Sequence, residues 1–173
     1  MQDLVQQFDS KKLNIELASH LWAKIDAKVL NIVQNSSWTT FKYFNDDKSI
    51  NAEIENVSNT RGGIYLFYVS PEVIKEKQRF LMYVGKAQIT EYQNLRKRIR
   101  EYKGYMPPDC SRPKVNKLFR EWWEYIYCSY IEFDDNQLID HIEEELINTL
   151  IPPINDKYAR TEISVALKQA FLI

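Results

Sequence analysis

The sequence predicts an α+β fold: a small central antiparallel sheet of about three strands, flanked by helices. Three observations carry that expectation. Residues 63–69 (GIYLFYV) and 79–85 (RFLMYVG) are short runs of β-branched and aromatic residues bordered by glycine. Residues 125–133 (YIYCSYIEF) form a third such run. The other long segments repeat apolar residues at helical spacing.

The elements follow in order. Residues 1–60 read as an N-terminal helical extension, with Leu17, Leu21, Ile25, Val29, Ile32 and Val33 predicting one helix over 13–34. The first two strand runs predict an antiparallel hairpin with a long connection that contains Pro71. Residues 94–102 predict a basic helix with Leu95, Ile99 and Tyr102 on one face. A basic and aromatic insert, 103–123, separates it from the third strand. Residues 136–150 predict an acidic helix that ends before Pro152 and Pro153. The core thus spans 61–156, and 157–173 read as a C-terminal helix centred on 161–171.

Composition narrows the classes. A chain of 173 residues suits one domain with an extension. A hydrophobic fraction of 45% with 13% aromatics excludes a disordered chain. The net charge of -1 excludes a uniformly basic binder. It conceals segregation, however. Residues 86–120 hold ten Lys and Arg against three acids, while residues 121–156 hold ten acids and no Lys or Arg. The basic half can attract phosphate or form a solvated helix surface. Two cysteines, Cys110 and Cys128, are too few for a disulfide scaffold or a thiolate zinc site. With no leader-like segment and no apolar run near the ~20 residues of a membrane span, the chain reads as soluble and cytoplasmic.

Glycine is sparse: four residues, Gly62, Gly63, Gly85 and Gly104. Such economy predicts positions that need positive φ or a close approach.

The acidic helix places Leu138, Ile139, Ile142, Leu146, Ile147 and Leu150 on one stripe. Glu143 falls ~55° from the stripe's centre, Glu145 ~105° and Glu144 ~155°. Glu143 is therefore the glutamate expected nearest the interior, where a carboxylate pairs with a cation, snorkels or binds a metal. In the basic helix, Arg96 and Arg98 both lie ~80° from the stripe, so periodicity leaves the two open. Arg98 and Tyr102 are i,i+4 neighbours. Tyr65 and Tyr83 sit in the hairpin, where cross-strand packing is the ordinary role. His20 and His141 lack any ligand spacing and read as structural.

Together these residues resemble the GIY-YIG nuclease family. Gly63, Ile64 and Tyr65, followed by Tyr83, Val84 and Gly85, match its paired signature with valine for the second isoleucine. Lys86 and then Leu95 to Arg98 resemble the strand, turn and helix that supply the family's arginine, which maps onto Arg98. Glu143 and the tail Pro152, Pro153, Ile154, Asn155 resemble its glutamate helix and closing turn. The resemblance covers residues 61–156. Tyr102 stands where many members have histidine, although the excision-repair incision nuclease resembles this tyrosine version, and the loop between the half-motifs is longer than in compact members.

The resemblance implies a divalent-metal-dependent DNA endonuclease that leaves 5′-phosphate and 3′-hydroxyl ends, in restriction, defence or repair. It implies Tyr65 as general base, Tyr83 and Tyr102 as groups that orient water or relay its proton, and Lys86 beside them. Arg98 would bind the scissile phosphate. Glu143 would hold one Mg²⁺ or Mn²⁺, with Asn155 orienting the glutamate or a metal water. Arg96, Lys97, Arg100, Lys103, Arg112, Lys114, Lys117 and Arg120 are the candidate nucleic-acid contacts, with Trp122 and Trp123 interleaved. DNA is the expected partner, with a homodimer or a nickase to follow. Neither a membrane nor a small-molecule cofactor is expected. The competing readings are a silent binding subunit and a structure-specific or RNA-directed nuclease.

Overall fold

The computed structural model describes residue 15 and residues 17–74, 77–108 and 111–156. The helix expected over 161–171 and Cys110 lie outside them.

The α+β class holds, and among the described residues the antiparallel sheet has four strands. They are β1 (Thr39–Lys42), β2 (Gly62–Val69), β3 (Phe80–Ala87) and β4 (Ile126–Phe133), in the spatial order β1-β4-β2-β3. The expected hairpin is β2–β3, and the third expected strand is β4, which lies centrally between β1 and β2. The fourth strand, β1, corrects the helical reading of residues 1–60. It is four residues long at the sheet edge, and only Phe41 is buried, so it carries little periodic signal. Phe41, Tyr43, Phe44, Ile54 and Val57 join the same hydrophobic cluster as residues of β2, β3 and β4.

The helix expected over 13–34 is broken in its described part. A short turn, α1 (Ser19–Trp22), precedes α2 (Ala27–Asn35). Asp26 is the cause: its carboxylate accepts from the backbone N–H of Lys28 and Val29, starting a new helix there. The basic helix is α3 (Leu95–Arg100), capped by Asn94 and continued by a 3₁₀ turn over Glu101–Tyr105. The insert contains α4 (Pro113–Glu121). Asn116 pins it by donating to the carbonyls of Tyr105 and Pro107, both at 2.6 Å. The acidic helix is α5 (Asn136–Leu150), with Asp135 as its N-cap. Among the described residues no helix is long and apolar enough to cross a membrane.

Alternation along the strands gives the sheet two covered faces. One is aromatic: Tyr43, Tyr65, Phe67, Tyr83 and Tyr102 pack with Leu95, Ile99 and Phe119. The other is aliphatic: Ile64, Val84 and Ile131 meet Val29 and the α5 residues Ile139, Ile142 and Ile147. Pairing shifts between Phe67 and Tyr68, where Phe67 opposes Tyr83 and Tyr68 opposes Leu81. Met82 is the extra residue. This bulge explains how adjacent Met82 and Tyr83 both join the aromatic cluster.

Candidate active site

Tyr65 is opposite Gly85, not opposite Tyr83. A Cβ at position 85 would lie 2.5 Å from the ring and hydroxyl of Tyr65. Gly85 therefore makes the space that Tyr65 fills. Gly63 also serves a close approach, since a Cβ there would lie 2.1 Å from the carbonyl oxygen of Ile131. The glycines at 63 and 85 thus have a packing origin. Gly104 differs: nothing lies within 4 Å of its would-be Cβ.

The Tyr65 and Tyr102 hydroxyls share a hydrogen bond of 2.8 Å, and both residues are fully buried. Burial pushes the Tyr65 phenol up, as does the nearby Tyr83, and Arg98 beside it pulls down by less. Burial likewise raises Tyr102, with Tyr65 and Tyr83 adding to it. The resting pair is neutral, the direction opposite to that of a ready general base.

Arg98 leaves α3 toward these rings and donates to Glu101 Oε2 at 2.7 Å. Glu101 is held in turn by Gln93 at 2.9 Å. From α5, Glu143 meets Lys86 Nζ at 2.8 Å, and Asp140 meets the same nitrogen at 3.0 Å. Burial opposes charge on Lys86, but Glu143 and Asp140 outweigh it and hold the ammonium's pKa up. Gln88 donates to both oxygens of Asp140, at 2.7 and 2.8 Å.

These groups converge on a cleft of about 740 Å³ beside β3. Tyr83, Lys86, Arg98, Arg112, Glu143 and Asn155 line it, with Asp140 and Asp156. A recess of about 360 Å³ shares Tyr83, Lys86, Arg98 and Glu143 and reaches Tyr65. The cleft is two-sided: carboxylates come from α5 and Asp156, guanidinium groups from α3 and the insert.

Asn155 lines the cleft and is bonded to the backbone of β3. Its Oδ1 accepts from Val84 N–H at 2.9 Å, and its Nδ2 donates to the Val84 carbonyl at 2.8 Å. The side-chain amide acts like one more rung along β3. Ile154 N–H adds a bond to the carbonyl of Met82, the bulge residue, at 3.0 Å. The segment after α5, which begins with a left-handed Ile151 (φ 46°), is thus fastened to the strand edge that carries Tyr83 and Lys86.

The candidate nucleic-acid contacts separate by position. Arg112 lies in the cleft, donating to the Tyr83 hydroxyl at 3.2 Å. Lys114 pairs with Asp156 at 2.6 Å, at the cleft's rim. Lys97 is exposed and donates to the Tyr92 carbonyl at 2.6 Å. Lys103, Lys117 and Arg120 are exposed. Arg96 points elsewhere, donating to the carbonyls of Val57 and Glu55, both at 2.6 Å, and Arg100 pairs with Glu55. Trp122 and Trp123 are both half-buried against the aromatic cluster. His20 and His141 are exposed, with His141 Nε2 4.0 Å from Asp26.

One expectation about α5 is corrected. The most buried of its three glutamates is Glu145, at 8% exposure, rather than Glu143. Helix geometry located α5's own stripe, but α1 and α2 also pack on α5. Glu145 faces that side and accepts the Asp26 N–H at 2.9 Å. Glu143 is left half-buried at the cleft. Sequence reasoning missed Asp140 as a cleft residue; its signal was the i,i+3 spacing to Glu143.

Glu143 suits a hard divalent cation: it offers carboxylate oxygens to the cleft, and Mg²⁺ commonly takes one or two carboxylates and keeps several waters. Among the described residues no group of three or more His, Cys, Asp or Glu is arranged to hold a metal.

Compared with family models, curated proteins and solved structures, the chain matches none.

Proposed function

We propose that the chain is a GIY-YIG-type endonuclease that hydrolyses DNA phosphodiesters to 5′-phosphate and 3′-hydroxyl ends, in restriction, defence against foreign DNA or repair. One observation supports this reading above the others. Tyr83 and Lys86 on β3, Arg98 on α3 and Glu143 on α5 line one cleft and one recess that reaches Tyr65.

Phosphodiester hydrolysis needs an aligned water, neutralised charge on the phosphoryl oxygens and a stabilised leaving oxygen. Arg98 binds the phosphate with its planar fork, and Glu101 sets the fork's direction. Tyr65, Tyr83 and Tyr102 place the water. To act as base, Tyr65 must first lose its own proton; Arg98 favours that loss and burial opposes it. Glu143 would hold Mg²⁺ or Mn²⁺, which supplies positive charge at the leaving oxygen. Lys86 then keeps Asp140 as its partner and remains at the cleft.

A nuclease fold that binds nucleic acid without cutting it draws on a different observation. The Lys86 ammonium already satisfies Glu143 at 2.8 Å. Supercoiled plasmid with and without Mg²⁺ separates the two. Cleavage that needs Mg²⁺ and is lost in Glu143→Gln, with DNA binding retained, is the expected result. Unchanged supercoils would favour the silent binder, and full activity of Glu143→Gln at saturating Mg²⁺ would remove Glu143 from the site.

A further inference from the structure

We infer that Arg112, from the insert, is a second phosphate-binding arginine of the cleft, gripping a phosphate of the bound strand next to the one on Arg98. The inference rests on the nuclease reading and adds a contact that no matched motif contains.

Arg112 and Arg98 line the same cleft, although they come from separate helices. The guanidinium of Arg112 is placed by two rings, 5.5 Å from the centroid of Tyr83 and 5.6 Å from that of Tyr105. It also donates to the Tyr83 hydroxyl at 3.2 Å. Arg112 is the N-cap of α4, and Pro113 follows at the helix start with φ already set. Asn116, one turn on, ties α4 to the carbonyls of Tyr105 and Pro107. The fork is thus held on two rings by a fastened helix, with little side-chain freedom left to lose on binding.

A nucleic-acid strand presents phosphates in series, so a single arginine leaves the neighbouring phosphate uncompensated. Exposed Lys117 on α4 continues the positive charge outward from Arg112, past Lys114, which pairs with Asp156 at the rim. The cleft therefore suits a polymer of phosphodiesters better than one isolated phosphate.

The test measures binding of a short DNA duplex in EDTA, by fluorescence anisotropy across a salt series. Arg112→Gln keeps the stem that packs on the rings and removes the charge; Arg112→Lys keeps the charge. Lys24→Ala, at an exposed cation between α1 and α2, is the control, and melting temperatures check each fold. Arg112→Gln should weaken binding about tenfold or more. It should also reduce the slope of log K against log salt by about 0.9. Arg112→Lys should retain the slope and lose part of the affinity.

If wild type binds and Arg112→Gln keeps both affinity and slope, the inference is overturned and the nuclease reading stands. A fall in cleavage with an unchanged slope in Arg112→Gln would make Arg112 a support for Tyr83 only, which also overturns it. If wild type binds no DNA, both readings fail.

Discussion

Helix α3 presents one kind of side chain to two different surroundings. On one side, Arg98 reaches the tyrosines and the cleft, steered by Glu101. On the other, Arg96 and Arg100 meet the 3₁₀ turn Ala52–Asn56 and the residue after it, where Arg96 caps the carbonyls of Glu55 and Val57. Arg98 and Arg96, two positions apart, thus divide between the cleft and chain fastening. The lesson is that a basic stretch is not by itself a footprint for phosphate. Each cation's role depends on whether the fold offers it carbonyls and carboxylates or an open cleft.

The largest expected effect breaks this comparison at its strong point. Arg98→Ala should reduce cleavage by roughly 10²–10³-fold, the usual cost of losing a contact to developing charge. Arg96→Ala should leave cleavage by the folded protein near wild type and instead lower stability by about 1–3 kcal/mol, because it strips the carbonyls of Glu55 and Val57 of a charged donor. Plasmid cleavage and urea unfolding of both variants check the pair. Equal activity losses would mean that α3 acts only as a general positive surface.

Next comes the phenol beside Arg98. Tyr65→Phe removes one hydroxyl and keeps the ring that fills the space over Gly85. Activity should drop by roughly 10²-fold, and raising the pH should not restore it. The wild-type rate should climb with pH, because burial holds the phenol above its ordinary range. The same shift affects stability. The folded state favours the neutral phenol, so its contribution is full below the ordinary tyrosine pKa near ~10 and is lost as pH rises through the higher folded value. Melting curves in mildly and strongly alkaline buffer should therefore show a smaller alkaline loss for Tyr65→Phe than for wild type. Near wild-type activity with an unchanged pH profile would remove Tyr65 as the base.

The smallest effect sharpens the comparison. Lys97 lies on α3 between the two sides, exposed and reaching the Tyr92 carbonyl. Lys97→Ala should lower DNA affinity modestly and more visibly at low salt, with the maximal rate unchanged. A loss matching Arg98→Ala in single-turnover assays would show that the cleft extends over the exposed face.

Much of this was legible in the chain. Residues 136–150 carry a full apolar stripe, and α5 occupies them. The strand runs around Tyr65, Tyr83 and Tyr130 became β2, β3 and β4. The sparse glycines at 63 and 85 marked close approaches before any contact was known. Periodicity could not choose between Arg96 and Arg98, because both sit at the same angle from α3's stripe. It also ranked Glu143 as more interior than Glu145, because it measures one helix without the neighbour that covers it.

By itself, the sequence determined α5 and the strands β2, β3 and β4, together with the close approaches at Gly63 and Gly85. These are local properties: a side chain's face follows from its position along one helix or strand. Only the tertiary structure decided that Thr39–Lys42 would become an edge strand against β4. It also anchored the helix break at Asp26 to α5, through the bond of the Asp26 N–H to Glu145. It turned Asn155 into a clamp on Val84, and it brought Arg112 to Tyr83. Each of these depends on a partner distant in the chain, and side-chain periodicity carries no information about which distant segment supplies that partner.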